Sequence, residues 1–208
     1  MYNSFVPIIQ ANLCKMIITR GNIMDRTLIQ NLKIEMHKDD VMQYLGRRAA
    51  KLDVESLLEA ANAVANPKFI VKEVSCECKD GLVFVGDMKF ESTELASLLE
   101  GQNEVLLYVA TAGNEIIENA NIENSSIKDL LTTALFAYSK KAVGEYLEKT
   151  IGGTDWTELK PGVVSDWPVS ANIEICRAIG NIEEIGVSIN DAGYLSPINS
   201  NAGILIHK

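Results

Sequence analysis

Two histidines, His37 and the penultimate His207, are all that a chain of 208 residues offers for imidazole chemistry. A Ser-His-Asp hydrolase or a multi-histidine metal site needs more, because general-base catalysis and most transition-metal ligation rest on imidazole. The four cysteines, Cys14, Cys76, Cys78 and Cys176, show no CxxC spacing for zinc or a redox pair and are too sparse for a disulfide scaffold. They read as reduced, mostly buried thiols of a cytoplasmic protein. Cys76 and Cys78 share one face if their segment is a strand, an arrangement that suits core packing as readily as a weak metal site. Three other places could carry chemistry. Thr111-Ala112-Gly113-Asn114 sits at a strand-turn-helix junction, where backbone amides can seat an anion. A tight turn that needs Gly113 accounts for the same residues, and neither GxGxxG nor GxxxxGK[ST] is present. The stretch from Glu158 to Pro168 is an irregular loop whose prolines hold an extended backbone with unpaired carbonyls and amides. Such a loop is either a main-chain seat for a zwitterionic ligand or a rigid connector. Glu145 and Glu148 are helical carboxylates whose default is a solvated face.

The charge balance narrows the partners. With 19 Lys+Arg against 28 Asp+Glu the formal net charge is −9, which argues against whole-surface nucleic-acid binding because a duplex binder needs a cationic face. A composition 47% hydrophobic and 23% charged is globular rather than disordered. At this length roughly 70% of the unfolded chain's surface is buried on folding, enough for one proper core. The segment Phe5 to Cys14 is the one candidate for a targeting sequence. It has no cationic residue before it and is broken by Pro7, Gln10 and Asn12, so it lacks the layout of a signal peptide. No apolar run approaches the ~20 residues of a membrane span. A soluble, cytoplasmic protein is expected, with neither nucleic acid nor membrane as partner.

The elements that must position these residues follow from periodicity. Leu28 to Met36 alternates apolar and polar residues and predicts a strand. Lys38-Asp39-Asp40 opens a helix carrying Val41, Met42, Tyr44 and Leu45 up to Gly46, and Asp53 caps a second that stops at Asn66-Pro67. Phe69 to Cys78 and Leu82 to Phe90 read as two strands joined through Lys79-Asp80-Gly81. Ser92 to Leu99 is a helix anchored by Leu95, Leu98 and Leu99. The continuous apolar run from Val105 to Thr111 has the pattern of a strand covered on both faces. Ser126 to Thr150 is the longest helix, ended by Gly152-Gly153. From Asp155 to Pro168 no periodicity survives, and loops of that length are often functional. Ser170 to Ile179 reads as a helix, Val187 to Asn190 as a short strand and Ala202 to His207 as a closing strand. The mixture is α+β with hairpin-linked strands.

The order of these elements and the residues within them resemble the activation (reactivation) region of vitamin B12-dependent methionine synthase and its free-standing bacterial relatives. The resemblance rests on Asp40-Val41-Met42-Gln43-Tyr44-Leu45-Gly46-Arg47-Arg48, Tyr108-Val109-Ala110-Thr111-Ala112-Gly113-Asn114-Glu115 and Gly144-Glu145-Tyr146-Leu147. It continues through Lys160-Pro161-Gly162, Asp166-Trp167-Pro168, Ile185-Gly186-Val187-Ser188-Ile189-Asn190-Asp191 and Ser196-Pro197. It runs from about Ile34 to Ile206, so residues 1–23 are expected to be an N-terminal extension and 24–208 the domain.

The resemblance implies an α+β domain with a twisted, mostly antiparallel sheet and flanking helices. It implies binding of S-adenosylmethionine beside a corrinoid held by another domain, within a methionine synthase or related methyltransferase system. Around His37 the chain lacks Asp-x-His-x-x-Gly, the source of the lower cobalt ligand in corrinoid carriers, and His37 reads as a surface residue. Cobalamin would therefore come through a partner, a corrinoid-carrying methyltransferase protein. The ligand-site residues carried across are Pro161, Gly162, Asp166 and Glu145, with no catalytic and no metal-binding residue. Three positions depart from the pattern. The arginine that lies three residues before Pro-Gly in the long enzyme is Glu158 here, the aromatic after Gly is Val163, and an acidic residue one helical turn before the position of Glu145 is Lys141. The implied role is reductive reactivation of the partner's cobalamin. The alternative is a non-catalytic binding or scaffold protein that keeps the fold and has lost the methyl donor.

Overall fold

The run from Val105 to Ala110 has no polar face, and it lies where that composition requires, in the middle of a sheet covered on both sides. The computed structural model describes residues 27–29, 34–150 and 155–207; the expected extension over residues 1–23 lies outside the described residues, as does Cys14. Among the described residues the main sheet is antiparallel with the order β4-β3-β2-β5-β9-β6. Its strands are β2 (Lys68–Lys79), β3 (Leu82–Val85), β4 (Met88–Glu91), β5 (Glu104–Thr111), β6 (Thr157–Leu159) and β9 (Ser200–Ile206). The short β1 (Thr27–Ile29) pairs with the start of β2, whose end pairs with β3, so both use one edge of the longest strand. A separate two-stranded ribbon joins β7 (Ser188–Ile189) to β8 (Leu195–Ser196).

Side chains alternate along β5 and divide the protein into two cores. Leu106, Tyr108 and Ala110 face one, which is closed by α1 (Lys38–Leu45), α2 (Val54–Asn62), α4 (Glu115–Asn119) and the long α5 (Ser125–Thr150). Val105, Leu107 and Val109 face the other, closed by α3 (Thr93–Leu98), α6 (Asn172–Ile179) and Trp167. Helix α5 buries Ile127, Leu131, Ala134, Leu135, Val143 and Leu147, a stripe spaced near the helical period. The fold is thus the expected α+β arrangement, an antiparallel sheet with flanking helices.

Several boundaries differ from the sequence pattern, each for an identifiable physical reason. Of the strand expected over residues 28–36, Thr27–Ile29 pair with a neighbour and 34–36 do not, while residues 30–33 lie outside the described residues. Ile34 and Met36 are buried and Glu35 exposed, as alternation requires, but the backbone of Met36 is satisfied by a side chain instead of a neighbouring strand. Its N–H donates to Asn62 Oδ1 at 3.0 Å and its carbonyl accepts from Asn62 Nδ2 at 2.9 Å. The run Leu82 to Phe90 is two strands, not one. Gly86, at φ 56°, begins a turn with Asp87, and Val85 pairs with Met88 across it. Met42 and Leu98 point outward rather than anchoring their helices. The segment 155–168 contains β6, too short to show periodicity.

Candidate functional site

Gly203 on β9 pairs directly with Tyr108 on β5, and its missing side chain lets the tyrosine ring reach across toward β6. A Cβ at position 203 would lie 3.0 Å from Tyr108 Cε1 and would collide with the carbonyl oxygen of Leu159. The Tyr108 hydroxyl donates to Glu158 Oε1, and Glu158 Oε2 accepts from Lys140 Nζ and Lys160 Nζ, each at 3.0 Å. Side-chain exposure is 29% for Lys140, 25% for Lys160 and 22% for Glu158, so the group is largely withdrawn from water. Burial, and then the charge of Glu158, push the Tyr108 hydroxyl well above its ordinary range. Burial pushes the Glu158 carboxyl up, but the Tyr108 hydrogen bond and the two lysines outweigh it and hold the carboxyl below its ordinary value.

Tyr108, Lys140 and Glu158 of this network line a cleft of about 370 Å³ between α5 and the β6 edge. Phe69, Val143, Leu147, Leu205 and Trp156 give it an apolar lining, and the Trp156 ring stands edge-on to His207 with centroids 5.3 Å apart. Gly144 also lines it, and a Cβ there would meet nothing within 4 Å. The charged lining holds Lys140 and Lys141 against Glu145, Glu148, Asp155 and Glu158. Glu158 is shared by Lys140 and Lys160, so with Lys141 there are three cations against four carboxylates at the cleft, a balance of one net negative charge. That balance beside aromatic rings favours an organic cation. The acidic potential extends to α1: the Tyr138 hydroxyl is pushed up by burial, then by the charges of Asp40, Glu145 and Glu35.

Of the four residues singled out in the sequence, Glu145 lines the cleft, while Pro161, Gly162 and Asp166 lie in the loop beyond β6. The main-chain groups expected to be unpaired there are largely used within the protein. Gly162 N–H donates to the Trp167 carbonyl at 2.6 Å, and the Val163 and Val164 N–H groups donate to the Lys160 carbonyl at 3.1 Å. Ser165 N–H donates to Glu94 Oε2 at 2.7 Å. Val164 and Trp167 are buried, whereas Val163 is 71% exposed.

Asp166 closes the N-terminus of α3. It accepts from the Ser92 hydroxyl, from Thr93 N–H at 2.7 Å and Oγ1 at 2.9 Å, and from Glu94 N–H at 3.2 Å. The Ser92 hydroxyl above all, helped by these amides, lowers its carboxyl from 3.8 to about 2. A folded-state value below the unfolded one adds stability that is complete above about pH 4 and is lost as pH falls through about 2. Asp166→Asn is therefore expected to flatten the acid limb of the stability profile between those values. Urea midpoints measured from pH 5 to pH 2 check this, and an unchanged acid limb would count against it.

The other candidates resolve locally. At the 111–114 junction, Gly113 N–H donates to Thr111 Oγ1 at 3.0 Å. The Glu115 carboxylate packs against Gly113 and pairs with Lys68 at 3.2 Å, so a tight turn with an internal anion occupies that place. Cys76, Cys78 and Cys176 are free thiols, and burial pushes Cys76 and Cys176 up to about 12. His37 is exposed at the start of α1. No described helix is long and apolar enough to cross a membrane. The residues that sequence reasoning missed are Tyr108, Lys140, Gly144 and Trp156. Tyr108 carried a signal, as the one residue with a polar tip between Val105 and Ala110.

No family model matches the chain, and no curated protein matches it in sequence. Among solved structures it is similar to the crystal structure of the MetH reactivation domain bound to AdoHcy, with a TM-score of 0.66 at 10% identity. The similarity covers 88% of this chain and 78% of that one.

Proposed function

We propose that the chain is a cytoplasmic accessory domain of the reactivation type. It binds an S-adenosyl ligand in the cleft between α5 and β6 and docks on a separate cobalamin-carrying methyltransferase protein to support reductive remethylation. The observation that carries this reading is the extent of the likeness to a domain solved with AdoHcy. The cleft supports it: about 370 Å³ falls within the roughly 300–1,000 Å³ of small-molecule sites, and its acidic, aromatic lining suits a sulfonium. The corrinoid and the methyl donor supply the chemistry; the chain supplies position and electrostatics. Glu145 faces the ligand's positive charge, Pro161 and Gly162 end the strand that carries Glu158, and Asp166 holds the loop against α3.

A second reading, a binding or scaffold protein that keeps the fold without the donor, is favoured by one observation: Glu158 and the loop amides are already paired within the chain. Reconstitution separates the two. A cobalamin-carrying methyltransferase protein in its cob(II)alamin form is mixed with a reductant and S-adenosylmethionine, with and without this chain, and methylcobalamin is followed by absorbance. The reactivation reading expects conversion that depends on the chain. Co-purification with the carrier and no conversion would establish the scaffold.

A further inference from the structure

Three donors converge on one carboxylate in the lining of the cleft: the Tyr108 hydroxyl on one oxygen, Lys140 and Lys160 on the other. Two cations and a hydroxyl aimed at two oxygens make a complete carboxylate seat. The chain fills it itself. An incoming carboxylate competes with a group tethered on β6, whose effective concentration is set by the backbone rather than by solution. It would also enter a lining that holds Glu145, Glu148 and Asp155, whose like charges oppose it.

We infer that Glu158 is a built-in carboxylate that makes the cleft select ligands lacking one. The ligand class is an organic cation with a flat apolar part and no carboxyl group, so decarboxylated S-adenosylmethionine, a nucleoside sulfonium with an aminopropyl chain, is preferred to S-adenosylmethionine. The ligand class rests on the S-adenosyl reading above; the self-filled seat stands apart from it.

Two measurements on the full chain keep these parts distinguishable. Calorimetric titration with decarboxylated S-adenosylmethionine, S-adenosylmethionine and neutral methylthioadenosine is expected to rank them in that order, with about tenfold between the first two. Equal or tighter binding of S-adenosylmethionine would overturn the selection. Binding by none of the three overturns the S-adenosyl reading, and the seat is then decided alone. In Glu158→Ala the three donors lose their carboxylate, so acetate should raise the melting temperature of that variant, against chloride at equal ionic strength, and leave the wild type unmoved. No acetate-specific rise overturns the seat. If Glu158→Ala does not fold, Glu158→Gln keeps the shape and removes the charge, and it must lose most of the discrimination between the two sulfonium compounds; unchanged discrimination overturns the proposal.

Discussion

Replacing Trp167 with alanine is expected to remove about 3–5 kcal/mol of folding free energy, the range for deleting a buried aromatic side chain. Trp167 is 1% exposed and heads the large side chains buried in the second core. Its ring stands edge-on to Phe90, with centroids 5.4 Å apart and planes at 70°. The consequence reaches the loop. Trp167 supplies the carbonyl that receives Gly162 N–H, and the residue before it caps α3, so losing the anchor frees both ends of the turn. Urea unfolding should show a lower midpoint, and amides 162–167 and 93–95 should lose exchange protection. The indole N–H has no hydrogen-bond partner among the described residues, so Trp167→Phe gives up volume and no bond and should recover most of the loss. A cost under about 1 kcal/mol for alanine would contradict the packing described.

The second large effect is at Gly203. Valine there meets the backbone oxygen of Leu159 and the Tyr108 ring at once, and neither contact is relieved by rotating a flexible side chain. The cost should reach about 3 kcal/mol, the upper end of overpacking. The pairing of Thr157–Leu159 with β9 would open, carrying Glu158 away from Tyr108 and the lysines. Spectrophotometric tyrosine titration gives a separate signal. Tyr108 ionises well above its ordinary range in the wild type and should fall toward the others in Gly203→Val. A variant with wild-type stability and an unmoved high-pH tyrosine would refute the crossing of the ring over β9.

What was legible in the sequence was mostly local. Asp53 and Ser92 cap their helices by accepting from Ser56 and Leu95 amides, as residues of that type do. Asp80 and Gly81 take the positive φ that the first hairpin needs. The uniform apolar character of Val105 to Ala110 announced a strand between two layers. The misses depend on partners far along the chain. A side chain from α2 replaced a ladder for Met36, and three residues of β6 carry no period that a window can detect.

The site follows the same division. Glu158 stood out in the sequence as the first residue of an irregular loop, but its meaning comes from Tyr108, 50 residues earlier, and Lys140, 18 residues earlier. Strand register brings them together: Tyr108 opposite Gly203, and Glu158 opposite Leu205 on the same strand. Asp166 was legible as a polar loop residue, while its role in capping α3 depends on a segment more than 70 residues away.

The central claim is that the cleft between α5 and β6 is the seat of an S-adenosyl ligand. Gly144 offers a place from which to close it, because its position is helical and a Cβ there meets nothing within 4 Å. Replacing a helical glycine also favours the helix, by up to about 1 kcal/mol for the best helix formers. Calorimetric titration of S-adenosylmethionine into the wild type and into Gly144→Phe tests the claim most directly. The account predicts saturable binding to one site in the wild type and its loss in Gly144→Phe, with the unfolding midpoint held. No heat from the wild type at millimolar ligand, or equal binding by the folded variant, would contradict it.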